Sequence, residues 1–379
     1  MTIHWCGTGL SSVPGLRRIL EAGHDVTVWN RTFEEADQAV GDLTQNIKIF
    51  AFDALQADLK AGDIAVSMLP TDFHLPVAKI CLAENAHFVC SSYISPEMAA
   101  LDSEARAKGL CLVSEVGLDP GIDHLMAHHL VADYRASDAY DVNNVISFKS
   151  FCGGVPKISN AFRYKFSWSP IGVLKALIAP SRSIRNFTPL NMTHSWDAIR
   201  NYVAPLPTPE TFEVYPNRDS LPFMEEYHFD EHWKVKEFER GTLRLNGWAD
   251  AWADVFNEIG SVSGPEGDER LQEMSDQMWR DHAYEKDEPD RTVMCVDFKA
   301  ERDGIPIYHK TYVLDAWGDA RGSAMSRLVS VTMTLAIESI LNRELPVGVS
   351  AAPKDLKLVE NWMTAIEPQA QFLALKSAL

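Results

Sequence analysis

The sequence predicts an α/β protein: a Rossmann-like, doubly wound parallel sheet domain joined to a mixed α/β domain that carries a small helical insertion. Three observations predict it. Short apolar runs alternate with amphipathic helical stretches over about the first 115 residues, the pattern of a parallel sheet with helices on both faces. Two glycines one residue apart, Gly7 and Gly9, sit at the first strand-to-helix turn. After Gly117 the rhythm changes to longer strands and charged helices.

The elements follow in order. "TIHWCG" reads as a buried strand. "SSVPGLRRILEAG" reads as a helix capped by Ser11 or Ser12, with Pro14 in its first turn and Gly23 as its stop. "DVTVWN", "IKIFAFD", "DIAVSMLP", "HFVCSS" and "LCLVSEV" read as strands. Between them "FEEADQAV", "ALQADLKAG", "HLPVAKICLAENA" and "PEMAALDSEARAKG" read as helices. A helix is expected from about Ile122 to Tyr134. "VISFKSFCGG" and "AFRYKFSWS" are expected as longer strands, and the Pro-rich "APLPTPETFEVYPNRDSLP" as a linker or irregular loop. Residues 247–285 read as mostly helical. "RTVMCVDFKAERDGIPIYHKTYVLDAWG" reads as a hairpin turning at Asp303-Gly304, and "SAMSRLVSVTMTLAIESILN" as a long apolar helix of the core or of a dimer contact. The expected division is 1–121 with 345–379, 122–200 with 286–344, and a largely helical insertion over 201–285.

The glycine turn carries the first functional expectation. Gly7 allows a tight turn, and Gly9 lets a pyrophosphate approach the backbone at the helix N-terminus. Ser12 stands where a third glycine is common and is small enough for helix–sheet packing. The second strand ends in Asn30, Arg31 and Thr32, with no acid to hold a ribose 2′-hydroxyl. A guanidinium there suits a 2′-phosphate, so NADP(H) is expected over NAD. Thr8 and Leu10 complete the loop, and Leu69, Pro70 and Leu118, at the ends of later strands, are expected to line the cofactor.

Composition bounds the rest. The 379 residues carry a formal charge of −18 and are 46% apolar. That balance disfavours a nucleic-acid partner, which needs a broad basic surface, and leaves room for an anionic small molecule in a locally basic pocket. No signal-peptide pattern opens the chain and no membrane span is expected. Six scattered cysteines without a C-x-x-C pair point to reduced thiols and a cytoplasmic location.

In a doubly wound sheet, ligands bind at the carboxyl ends of the strands. "SMLPTDFH", "SSYISPEM" and "EVGLDPGIDHLMAHHL" fall there. These motifs, with "SFCGGVP", "YKFSWSPIGVL", "YPNRDS" and "RGTLRLNGW", resemble the saccharopine dehydrogenase-like family, in its NADP-dependent, glutamate-forming branch, in family order over nearly the whole chain. The resemblance implies a dinucleotide-binding domain, a mixed α/β domain that holds substrate and forms a homodimer, and a small helical domain. It implies NADP(H)-dependent condensation of 2-aminoadipate 6-semialdehyde with L-glutamate to saccharopine, or the reverse.

The same resemblance places Tyr93, Asp119 and Cys152 at the reacting centre. Asp119 would stabilise the cationic imine or relay a proton, although it also precedes a Pro-Gly turn. Tyr93 would donate to a substrate carboxylate or to the carbinolamine hydroxyl. Cys152 either takes part or only shapes the pocket. Ser92, Arg218, Thr242 and Arg244 are the implied substrate contacts, since a tricarboxylate needs cations and guanidinium binds carboxylate at two points. Arg163 and Thr71 depart from the family pattern, and the helical insertion is shorter than in fungal relatives.

No metal is expected. His124 and His128 are four apart, as are His228 and His232, but neither pair forms H-E-x-x-H and no cysteine cluster is near. The rival readings are a carboxynorspermidine- or opine-type imine-reducing dehydrogenase and a non-catalytic NADP-binding regulator. Arg218 and Arg244 weigh against the first, Tyr93 and Asp119 against the second.

Overall fold

A computed structural model describes residues 1–378. In chain order the elements begin with β1 (Ile3–Cys6), α1 (Val13–Glu21), β2 (Val26–Asn30), α2 (Phe33–Val40), β3 (Ile47–Ile49), α3 (Phe52–Asp58) and β4 (Ile64–Ser67). Next come α4 (His74–Ala83), β5 (His87–Cys90), α5 (Pro96–Ala99), α6 (Asp102–Lys108), β6 (Cys111–Val113) and α7 (Ile122–Ala136). Then follow β7 (Val145–Pro156), α8 (Pro170–Ile178), β8 (Ser181–Arg185), β9 (Thr188–Met192), β10 (Arg200–Ala204), β11 (Glu210–Pro216) and α9 (Pro222–Glu226). β12 (Lys234–Leu245), α10 (Trp248–Ala251), α11 (Ala253–Ser261), α12 (Gly264–His282), β13 (Asp290–Arg302) and β14 (Ile305–Trp317) continue the chain. It closes with α13 (Ala324–Leu341), β15 (Gly348–Ser350), α14 (Leu356–Ile366) and β16 (Phe372–Ser377).

The chain divides into two compact units, Met1–Leu125 with Ala320–Gln369, and Met126–Asp319 with the residues from Ala370 onward. The first holds a seven-stranded sheet in the order β15-β6-β5-β4-β1-β2-β3, with every pair parallel. The order reverses at β1, between β4 and β2, which sets the ligand crevice at the carboxyl ends of these strands. Its core includes Cys6, Trp29, Leu55, Ala65, Val77, Phe88 and Leu112.

α13 belongs to this unit, a correction to the expected boundary. Gly15 of α1 explains it: a Cβ there would lie 2.3 Å from the main-chain oxygen of Ser330 in α13. The bare glycine lets the helices touch, and its N–H donates to Ser330 Oγ over 2.8 Å. α13 is long and apolar enough to cross a membrane by length and composition, but 78% of it is buried in the protein. The close-packing role expected of Ser12 therefore falls on Gly15.

The second unit holds a nine-stranded sheet, β10-β11-β12-β7-β13-β14-β16, with β8 paired to β12 and to β9. β12 and β7 run parallel, and the other pairs are antiparallel. The hairpin turns at Asp303 and Gly304, with φ of 52° and 79°, as a two-residue turn demands. Four further expectations need correction. Residues 201–285 are not a separate helical domain, because β10, β11 and β12 are strands of this sheet. The expected linker contains β11, whose alternation in "TFEVYP" buries Phe212 and Val214.

"AFRYKFSWS" is not a strand. Its aromatic residues Tyr164 and Phe166 pack among residues of α8, α11 and α12, and its main chain makes one bridge, Phe166 to Ala283. The tail also divides: β15 and α14 lie in the first unit, while the alternating "FLALKS" pairs with β14 as β16.

Candidate active site

In the first unit, the expected residues gather at the carboxyl edge of the parallel sheet. Gly7 has φ of 103°, and a Cβ on it would press against Met68 O at 2.8 Å, so only glycine fits the turn. Ser12 stands at the N-cap of α1 but makes no capping bond. Its hydroxyl instead donates to Gly7 O over 2.6 Å and accepts from Trp5 Nε1 over 2.7 Å. Asn30 is buried and holds the loop from the other side, its Oδ1 accepting from Thr8 N over 3.3 Å. Its Nδ2 donates to Thr32 O over 2.9 Å. Asn30 thus acts on the loop's shape.

The loop suits a phosphate-bearing ligand. A Cβ on Gly9 would meet nothing within 4 Å, Thr8 Oγ1 is buried with no hydrogen-bond partner among the described residues, and Leu10 and Arg31 are exposed. Leu69 and Pro70 follow β4, Leu69 half-buried and Pro70 exposed, and Leu118 is buried beside Asp119.

After β5 and β6 the chain forms a second cluster. Tyr93 Oη donates to Asp119 Oδ1 over 3.2 Å, and both side chains are half-buried. Glu115, which the sequence reading passed over, fixes the stretch that holds Tyr93. Its N–H donates to Ser92 O over 3.0 Å and its Oε1 accepts from Ile94 N over 2.8 Å. Its Oε2 lies 2.8 Å from His124 Nε2, where both groups are buried. Glu115 does this with φ of 56°, an uncommon conformation for a non-glycine residue. His124, weighed as a metal ligand, is engaged in this pair.

His74 was also passed over. It lies 2.8 Å from Ser67 Oγ through Nδ1 and 2.9 Å from Ser92 Oγ through Nε2. Burial pulls its pKa down to about 4, against a weaker opposing pull from Asp72. The ring is neutral near neutral pH.

In the second unit, Tyr215, Thr242 and Cys152 are register partners across β11, β12 and β7 and share one face of the sheet. Arg240 and Arg244 stand two residues either side of Thr242, hence on that face too. Arg244 is buried and boxed by Tyr164, Tyr215 and Trp248, whose ring centroids lie 4.7, 5.5 and 5.3 Å from its guanidinium carbon. Nη1 donates to Leu243 O over 3.1 Å, while Nε has no partner among the described residues.

The acid opposite Arg244 in register, Glu213, accepts instead from the main-chain N–H groups of Gly247 and Ala249, each over 2.7 Å. A buried guanidinium without a hydrogen-bonded carboxylate is costly; three π faces offset part of that, and an anion would complete it. Burial raises the Tyr215 phenol pKa, and the Arg244 charge opposes that rise. Tyr164, Tyr215, Trp248 and Arg240 were missed in sequence; alternation through "RGTLR" was the available signal for Arg240.

Arg218 lies on the exposed turn after β11 with φ of 56°, its carbonyl accepting from Arg182 N over 3.0 Å. Arg163 donates to Ser159 Oγ over 2.7 Å. Thr71 opens a short 3₁₀ turn ahead of α4. His228 and His232 are not on a helix, since α9 ends at Glu226, so their four-residue spacing carries no shared face. Among the described residues no group of three or more His, Cys, Asp or Glu side chains is placed to hold a metal ion.

Comparison with known proteins agrees with this layout. Residues 3–113 match the saccharopine dehydrogenase NADP binding domain, and residues 117–369 match the saccharopine dehydrogenase C-terminal domain. A saccharopine dehydrogenase [NADP(+), L-glutamate-forming] of Pyricularia oryzae is 33% identical over 278 residues, 69% of this chain and 58% of that protein. A mitochondrial alpha-aminoadipic semialdehyde synthase of Mus musculus is 34% identical over 214 residues, 55% of this chain and 22% of that protein. The chain thus spans less than two thirds of the length of either relative. The solved apo saccharopine dehydrogenase (L-Glu forming) of Saccharomyces cerevisiae shares the fold, with a TM-score of 0.79 at 23% identity over 100% of both chains.

Proposed function

The chain belongs to the saccharopine dehydrogenase family, and from that premise we propose that it is an NADP(H)-dependent oxidoreductase of the CH–NH class. Its reaction is the condensation of L-glutamate with 2-aminoadipate 6-semialdehyde to saccharopine, or the reverse. The amine adds to the aldehyde, water leaves, and the imine takes a hydride and a proton to become a secondary amine. NADPH, when bound, supplies that hydride.

The observation that carries the reading is Arg244, a buried guanidinium whose hydrogen-bonding edge is not claimed by a protein carboxylate. That is a seat for a substrate carboxylate, with Thr242 and Tyr215 beside it in the sheet. Arg218 is the second cation assigned to the tricarboxylate. Cys152, in register with Thr242, shapes the floor of that face.

The loop of Gly7, Thr8, Gly9, Leu10 and Ser12 would receive the pyrophosphate, and Arg31 the 2′-phosphate. Leu69, Pro70 and Leu118 would flank the rest of the cofactor. The Tyr93–Asp119 pair would manage the proton. Its carboxylate would stabilise a cationic imine, and the phenol would donate to the carbinolamine oxygen as it departs as water. Ser92 would donate to a substrate carboxylate.

A homodimer in a reducing, cytoplasmic setting is part of the same proposal, supported by the family and by six scattered, buried cysteines. The test is NADPH oxidation with a panel of aldehydes and amino acids. Turnover with 2-aminoadipate 6-semialdehyde that requires glutamate supports the reading. Turnover confined to other amines defeats the substrate assignment.

A further inference from the structure

We propose that His74 is a positioning residue, held as the neutral tautomer protonated on Nε2, which donates to Ser92 Oγ and so leaves the Ser92 hydroxyl proton for an anionic oxygen of the bound substrate. The tautomer follows from hydrogen-bond accounting along Ser67–His74–Ser92. A neutral imidazole has one donor nitrogen and one acceptor nitrogen. Ser67 is fully buried at the end of β4, and His74 Nδ1, at 2.8 Å, is the partner its hydroxyl has among the described residues.

If Nδ1 carried the proton, the buried Ser67 O–H would have no acceptor among the described residues, and a stranded buried donor is costly. If the Ser67 O–H donates to Nδ1, no donor is stranded, and the ring proton sits on Nε2, 2.9 Å from Ser92 Oγ. Ser92 Oγ then accepts from His74. Its own proton has no other acceptor among the described residues, and Ser92 is half-buried at the ligand edge of the sheet.

The chain of bonds ends at Ser67, which is closed to solvent, so His74 has no route through it to exchange protons with water. Orientation is what this geometry provides. The reciprocal arrangement, with Ser92 donating to the ring, would offer a substrate carboxylate only lone pairs. The role of Ser92 as a substrate contact rests on the proposed function; the tautomer does not.

Two measurements separate these. Ring ¹⁵N spectra of histidine-labelled full-length protein, with His74 assigned by its loss in H74Q, should show a protonated Nε2 and an unprotonated Nδ1 throughout about pH 6 to 8. A protonated Nδ1, or an imidazolium, overturns the proposal. In saccharopine oxidation, H74F should raise KM for saccharopine about tenfold, the weight of one hydrogen bond to a charged group, and leave KM for NADP⁺ unchanged.

S92A should match H74F, and the double variant should lose no more than either single one. H74Q, whose amide N–H can reach Ser92, should recover most of the loss. An H74F protein that folds and keeps the wild-type KM while S92A does not would overturn the proposal. A wild-type protein that never oxidises saccharopine would defeat the proposed function instead, and the spectrum would still decide the tautomer.

Discussion

The phenol of Tyr93 donates to Asp119 across 3.2 Å, joining the loop after β5 to the loop after β6. Neither side chain is needed for the hydrophobic core, and Glu115 holds the intervening main chain in place. The pair therefore ties the two loops together, and it is the unit to which the proposed function assigns the proton transfer.

Removing that unit should lower turnover more than binding. Y93F and D119N should each reduce kcat for saccharopine oxidation by about 10²-fold or more, the usual weight of a positioned acid or base. The affinity for NADP(H), measured by fluorescence titration, should stay within error. A D119N protein with wild-type kcat would remove Asp119 from the chemistry.

Arg244 should act on binding. R244M keeps the bulk inside the aromatic box but offers no donors. We expect KM for saccharopine to rise by roughly 10- to 100-fold, as loss of one charge-assisted contact implies. The melting temperature should hold or rise, because the folded protein no longer buries a charge.

Gly9 and Gly15 should separate cofactor binding from folding. A Cβ on Gly15 meets Ser330 O at 2.3 Å, whereas one on Gly9 meets nothing within 4 Å. G15A should lose about 1–3 kcal/mol of stability in urea unfolding, the range for overpacking a tight contact. G9A should unfold like the wild type yet bind NADPH more weakly, because the methyl group occupies space the pyrophosphate needs. Equal destabilisation of both variants would contradict this division.

His74 should leave a signature in the pH dependence of stability. Its pKa is about 4 in the folded protein against 6.5 for the free side chain. Between those values the unfolded chain binds a proton that the folded protein does not. Stability should therefore fall as pH drops from 6.5 towards 4, by about 3 kcal/mol in all, and the contribution should level off below that. H74F, unfolded over the same range, should lack this component.

Much of this was legible in the sequence because it depended on local pattern. The glycine turn, the alternation of the first unit and the Asp303-Gly304 hairpin each announce themselves within a few residues. The misread parts depend on contacts distant in sequence. Gly15 looks like a poor helix residue until α13 arrives more than 300 residues later. The aromatic alternation of "AFRYKFSWS" imitates a strand, and only the helices packed on it show otherwise. Ser12 reads as a cap, but Trp5 and Gly7 claim its hydroxyl. Glu115 and His74 lay inside motifs already singled out; their roles emerged only when the ends of β4, β5 and β6 were brought side by side.

The most direct test is saccharopine-dependent reduction of NADP⁺ by the purified protein, followed by absorbance with the products identified by mass spectrometry. NADPH should form one-for-one with L-glutamate and 2-aminoadipate 6-semialdehyde, with NADP⁺ strongly preferred to NAD⁺. Absence of NADPH formation under conditions where the protein is folded and binds NADP⁺, or release of lysine and 2-oxoglutarate in place of glutamate, would contradict it.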